Sequence, residues 1–146
     1  MRYDGRAWTA VDMPLPRRSN WVTCMVLARD GTRWFGTNNA GIARWDGRWT
    51  LFDGAAGLPS STIYSLVEGS GTLWAGTAKG PARWTGSRWE PFPGAAAWDH
   101  GAVRALLAVG SAQEPEVWVG ADGGLGCLKR GEWLSLIHIS EPTRPY

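Results

Sequence analysis

The sequence predicts an all-β fold built from repeated four-stranded antiparallel sheets, and two observations predict it. First, marker tryptophans recur: Trp34, Trp74 and Trp118 are 40 and 44 residues apart, while Trp8, Trp49, Trp89 and Trp133 are separated by 41, 40 and 44. Second, each period splits into four short runs of three to eight residues broken by Gly, Ser, Asp or Pro, the pattern of a β-meander. One such sheet cannot bury both faces, so neighbouring units must stack on it. Four-stranded units of about 40 residues stacked face to face are the blades of a β-propeller. Two unrelated small sandwiches would not place Trp at the same phase in every copy.

The best-preserved unit runs from 58 to 92. STIYSLVE (61–68) is apolar and β-branched, GSG turns the chain, TLWAGT (72–77) runs to a break at AKG, PARW follows, TGS turns again, and RWEPF closes the unit. Its LWAGT is matched by RWFGT at 33–37 and VWVGA at 117–121. Its RWTGSRW is matched by RWDGRW at 44–49, RYDGRAW at 2–8 and, loosely, KRGEW at 129–133.

In chain order, residues 1–12 are expected to be the last strands of a blade whose first strands are missing, with Met1 an internal or artificial start. No charged and then apolar leader precedes them. Residues 13–53 make the first full blade, with strands at VTCMVLA, TRWFGT, GIARW and RWTLF and a tight hairpin at RDGT. Residues 54–93 make the second. Residues 94–133 make the third, with strands at AVRALLAV, EVWVGA, LGCLKR and EWL. Three blades and a remnant fall short of the four usually needed for closure, so the ring is not closed. After Trp133 the repeat stops. LSLIHISEPTR (134–144) resembles the translation of a transposase-derived sequencing adapter. Residues 134–146 are therefore expected to be a non-native tail making no consistent contact with the blades.

The phrase GLPSSTIYSLVEGSGTLWAGT (57–77), followed by GPARW (80–84), resembles the two-component regulator propeller repeat, and the resemblance covers about residues 1–133. The third unit departs from it: Ala121 replaces Thr, Leu128 replaces the strand Trp, and GSAQEPE (110–116) lengthens a turn. The resemblance implies the periplasmic or extracellular, ligand-sensing portion of a two-component regulator. Its partners would be the remaining blades of a parent propeller and a downstream histidine kinase module.

Composition narrows the classes further. The 146 residues are 44% hydrophobic and 19% charged, with 20 Gly and 11 Trp, which suits an all-β chain with many turns and excludes a disordered or coiled-coil one. A net charge of +2, with no basic cluster larger than Arg17–Arg18, does not point to nucleic acid. No apolar run in the sequence approaches the roughly 20 residues of a membrane-spanning helix. Cys24 and Cys127 fall two blades apart, too far for a disulfide, and read as buried free thiols.

Catalytic and metal signals are sparse. No His, Cys and Asp spacing matches a zinc or calcium site, and no cofactor is implied. AGTAKG and ADGG sit between strands rather than before a helix, so they do not make a phosphate loop. Asp99 and His100 adjoin, and they are the residues that a lyase or hydrolase reading would use.

Nine tryptophans (Trp8, Trp34, Trp45, Trp49, Trp74, Trp84, Trp89, Trp118 and Trp133) share three strand phases and are assigned to packing between blades. Each buries about 150–250 Å², worth roughly 4–6 kcal/mol as an upper bound. Trp21 and Trp98 fit no phase and lie in the connectors that lead into each blade. In a propeller these connectors share one face with the loops between each blade's second and third strands. The expected lining of that face is Arg17, Arg18, Asn20, Trp21, Ser60, Ser61, Thr62, Trp98, Asp99 and His100. Asn38, Asn39, Lys79 and Asp122 join it from the loops. Exposed aromatics among Asn, Asp and Arg suit a carbohydrate. The other reading makes Trp21 and Trp98 plugs between blades. Of the two, Trp98 is favoured as the ligand residue and Trp21 as the half-buried one. Besides a sensor and an enzyme, a structural protein-interaction propeller remains a third function class.

Overall fold

The computed structural model describes residues 1–16, 21–92 and 98–138, the last four by backbone alone. Arg17, Arg18 and Asn20 lie outside the described residues. β1 (Arg2–Tyr3) and β2 (Trp8–Thr9) form a short hairpin. The first four-stranded sheet contains β3 (Val22–Leu27), β4 (Arg33–Thr37), β5 (Ile42–Trp45) and β6 (Trp49–Phe52). The second contains β7 (Ile63–Gly69), β8 (Thr72–Thr77), β9 (Gly80–Trp84) and β10 (Trp89–Pro91). The third contains β11 (Val103–Gly110), β12 (Pro115–Ala121), β13 (Gly124–Lys129) and β14 (Glu132–His138). In each sheet the spatial order is the chain order and all pairs are antiparallel. These are three blades of an open propeller, with β7 packed between β3 and β11 on the inner side.

The glycine of the WxGT phrase explains how the blades come together. A Cβ on Gly36 would stand 2.7 Å from Ile63 Cγ2, and one on Gly76 would stand 2.7 Å from Val103 Cγ1 and 2.9 Å from the Val103 carbonyl oxygen. Each glycine lets the first strand of the next sheet approach. Gly120, which has no following sheet among the described residues, has nothing closer than Ala105 Cβ at 3.6 Å.

Two apolar cores fill the interfaces. Between the first and second sheets, Trp34, Ile42, Phe52, Ile63, Leu73, Ala75, Ala82 and Trp89 are buried together. Between the second and third, Trp74, Phe92, Val103, Val117, Val119 and Leu128 are buried together. At the first interface Trp34 of the WxGT strand meets Trp84 and Trp89 on the third and fourth strands of the next sheet.

The tryptophan assignment needs correcting for four of its nine members. Trp8 is 68% exposed, and Trp45, Trp49 and Trp118 are only partly buried. The reason is positional. Trp45 and Trp49 lie on the outer face of the first sheet, in register with Leu27 and Arg33, while Trp118 lies on the outer face of the third, opposite Leu107. No described sheet covers either face. Strand phase therefore identifies a face but not whether that face has a neighbour.

The expectation that the tail makes no contact with the blades is also overturned for part of it. The strand begun by Glu132 and Trp133 continues through His138, pairing Leu134 with Cys127, Ser135 with Gly126 and Ile137 with Leu125. Without that continuation part of the edge of β13 would be unpaired, and an alternating apolar segment entering from a hairpin satisfies its backbone groups whatever the origin of that segment. Cys24 and Cys127 are free, and burial raises the pKa of both thiols.

Candidate functional site on the connector face

Backbone hydrogen bonds bring the connectors and the loops between second and third strands onto one edge. Asn38 N donates to the Trp21 carbonyl at 3.1 Å, Ala78 N to that of Thr62 at 3.0 Å, and Asp122 N to that of Ala102 at 3.0 Å. Gly41 N donates to the Ser61 carbonyl at 2.8 Å, and Gly123 N to that of His100 at 2.8 Å. The signature threonines build the loops. Buried Thr37 Oγ1 donates to the Gly41 carbonyl at 2.8 Å and accepts from Ala40 N at 2.9 Å, presenting Asn38 and Asn39 outward. Thr77 Oγ1 donates to the Gly80 carbonyl at 2.7 Å and accepts from Lys79 N at 3.1 Å, leaving Lys79 exposed. Ala121 cannot make these bonds, so the third loop relies on the bonds from Asp122 and Gly123.

The two connector tryptophans behave in opposite ways, and the reverse of what the sequence favours. Trp21 is 73% exposed beside Asn38. Trp98 is half-buried: its Nε1 donates to the Gly101 carbonyl at 2.7 Å, and its ring meets Trp133 edge-on at 5.2 Å and His100 at 5.0 Å. A Cβ on Gly80 would lie 3.2 Å from the Trp98 ring, so Trp98 packs between the second and third sheets. Asp99 is exposed, and His100 Nε2 lies 3.4 Å from its Oδ1. Ser60 and Ser61 are partly buried, with Ser60 Oγ accepting from Thr62 N at 3.2 Å.

The structure adds residues that sequence reasoning missed. Each inner strand opens with a β-bulge, between Val22 and Cys24, Ile63 and Ser65, and Val103 and Ala105. The bulge residues are Thr23, Tyr64 and Arg104. Bulges re-aim a side chain out of the alternation and are over-represented beside functional sites. Thr23 Oγ1 donates to the Ile63 carbonyl. Arg104 donates to Asp122 through Nε at 2.8 Å and through a terminal nitrogen at 3.1 Å, and its guanidinium covers the Tyr64 ring. Those bonds hold the Asp122 carboxyl below the usual carboxylate range and raise the pKa of Arg104. One signal was available for two of them: Thr23 and Arg104 occupy the second position of otherwise apolar strands.

The edge therefore offers an exposed indole, amide side chains, a lysine and a locked arginine–carboxylate pair. Such a surface can stack on and hydrogen-bond a polar ligand. Among the described residues no group of three His, Cys, Asp or Glu side chains converges as metal ligands do.

Several solved structures share this architecture. The extracellular domain of a Bacteroides thetaiotaomicron protein, BT4673, described as a one-component system, is 25% identical with a TM-score of 0.70 over 91% of this chain and 18% of its own. A second structure of a BT4673 extracellular domain, described as from a hybrid two-component system, is 26% identical with a TM-score of 0.63, covering 79% of this chain and 16% of its own. Both are extracellular domains of regulators, in keeping with the repeat's resemblance to the two-component regulator propeller family. The extracellular domain of the hybrid two-component system BT3049 shares the propeller fold at 16% identity and a TM-score of 0.60, covering 78% of this chain and 15% of its own. This propeller piece spans less than a fifth of those solved domains. No family model and no curated protein matches it.

Proposed function

We propose that this regulator propeller is part of a ligand-sensing, non-catalytic module of a two-component signal-transduction protein, and that its connector face binds a carbohydrate. The observation that carries the reading is the Trp21 indole, 73% exposed beside Asn38. A sugar offers a C–H face to stack on such a ring and hydroxyls for the amides at its rim. The similar structures are extracellular domains of regulators, which supports a periplasmic or extracellular position and a downstream histidine kinase as partner. No helix of the described residues is long and apolar enough to cross a membrane.

The enzyme reading would rest on the Asp99–His100 pair, and one experiment separates the two. A panel of neutral and acidic oligosaccharides is titrated calorimetrically, and each ligand is recovered afterwards. Saturable binding with the ligand recovered intact supports a sensor. Chain shortening or an unsaturated product abolished by His100→Ala replaces it with a lyase or hydrolase.

A further inference from the structure

The outer faces of the first and third sheets are the two halves of an interface that the chain already makes twice. At the first interface the first sheet sends Trp34 against Trp84 and Trp89, at 5.1 and 5.8 Å, with Val26 on the sending side and Leu66 on the receiving side of the same core. The second interface repeats the scheme, with Trp74 and Val67 on the sending side and Leu106 on the receiving side. The strand registers carry these places onto the free faces. Leu107 stands opposite Trp118 as Val26 does opposite Trp34 and Val67 opposite Trp74, so the third sheet ends in a sending face. Trp45 pairs with Trp49 as Trp84 pairs with Trp89. Met25 stands opposite Phe35 as Leu66 does opposite Ala75 and Leu106 opposite Val119, so the first sheet begins with a receiving face.

Both free faces keep the features of the filled ones. The Trp45 and Trp49 rings lie 4.9 Å apart at 53°, against 5.5 Å and 51° for Trp84 and Trp89, so the receiving pair is already formed. Phe35, 5.5 Å from Trp49, widens that aromatic surface. On the sending face Gly120 is kept although no strand of another sheet approaches it, as β7 approaches Gly36 and β11 approaches Gly76. Two polar departures from the buried pattern carry opposite charge. Arg33 on the receiving face directly precedes its Trp, where the other sheets have Leu73 and Val117. Glu116 on the sending face stands two residues before its Trp, where the others have Thr32 and Thr72.

We propose that these two faces bind each other across two copies of this chain, head to tail, closing a six-bladed ring. Trp118 of one copy packs against Trp45 and Trp49 of the other, and Leu107 and Met25 enter the same core. Blade number selects the pair. Propellers close with four to eight blades, and with three sheets in each copy, one copy has too few, two have six and three have too many. A sending face on a receiving face is a heterologous contact, which ends in a ring where the rotation closes. In the closed pair each copy stands in for the blades that a longer propeller would place there, and no apolar face is left for a third copy.

The test is sedimentation velocity of the full chain across a wide concentration range, which should give one associated species at twice the chain mass and none larger. Met25→Lys alters the receiving face alone and Leu107→Lys the sending face alone. Each variant by itself should sediment as a monomer, because every contact in the pair needs one face of each kind. Mixed in equal amounts they should form a two-copy species again, through the one contact that joins their unaltered faces. A monomer at every concentration, assemblies that keep growing with concentration, a dimer that survives in either single variant, or a mixture that stays monomeric would each overturn the proposal. The concentration series needs no variant, and both substitutions fall on side chains that are exposed in the single chain, 69% for Met25 and 57% for Leu107.

Discussion

Arg104 lies across the ring of Tyr64, its guanidinium carbon 4.4 Å from the ring centroid, although the two residues belong to different sheets. Each is the bulge residue of its inner strand, so the same backbone irregularity in adjacent blades places both side chains at one edge. Asp122, from the loop that follows β12, completes the group by holding the guanidinium through two nitrogens. The connector face is thus built from a backbone feature repeated in all three blades.

The Asp122 carboxyl titrates low chiefly because Arg104 donates to it. A depressed carboxylate pKa means the interaction is present above the ordinary carboxylate range and is lost as pH falls through the depressed value. In Arg104→Ala the Asp122 titration should move up toward the ordinary range, read by carbonyl carbon NMR. A titration that stays where it was would show that the guanidinium is not its cause.

Gly76 and Gly120 hold the same place in the repeat but meet different surroundings. Gly76→Ala should cost about 1–3 kcal/mol, because its Cβ would run into Ser65 Oγ of its own sheet and into the Val103 side chain and backbone of the next. Gly120→Ala should stay within about 0.5 kcal/mol. Denaturant melts of the two variants check this, and equal costs would count against blade-to-blade approach as the reason for the glycine.

Met25 and Leu27 on the outer face of the first sheet are exposed, as are Leu107 and Val109 on the outer face of the third. Large uncovered apolar faces drive association. The chain expressed by itself should therefore associate or precipitate, and Leu27→Lys with Leu107→Lys should reduce this in sedimentation velocity. A monodisperse, cooperatively melting monomer of the unaltered chain is the contrary result.

The repeat was legible because packing imposes it. Trp34 and Trp74 recur where one sheet meets the next, Gly36 and Gly76 where a strand must approach, and Thr37 and Thr77 where a loop must close. Tyr64 and Arg104 were not legible as site residues. A bulge shifts the alternation by one residue, and in sequence that looks like an ordinary irregular strand start. The contrast between Trp21 and Trp98 was hidden for a related reason. Both stand outside the strand phases, and only the fold shows that Gly80, Trp133 and the Gly101 carbonyl close around one of them. The pairing of Leu134–His138 with β13 was missed because an open strand edge asks for alternation and hydrogen bonds, not for a repeat motif.

The central claim is that the connector face recognises a ligand through Trp21 while Trp98 holds two blades together. Its most direct measurement is melting temperature and oligosaccharide affinity determined together for Trp21→Ala and Trp98→Ala in the protein that carries this propeller. Trp21→Ala should abolish binding with stability changed by less than about 0.5 kcal/mol, and Trp98→Ala should cost about 3 kcal/mol of stability. Full affinity in Trp21→Ala, or a large loss of stability from it, would contradict the account.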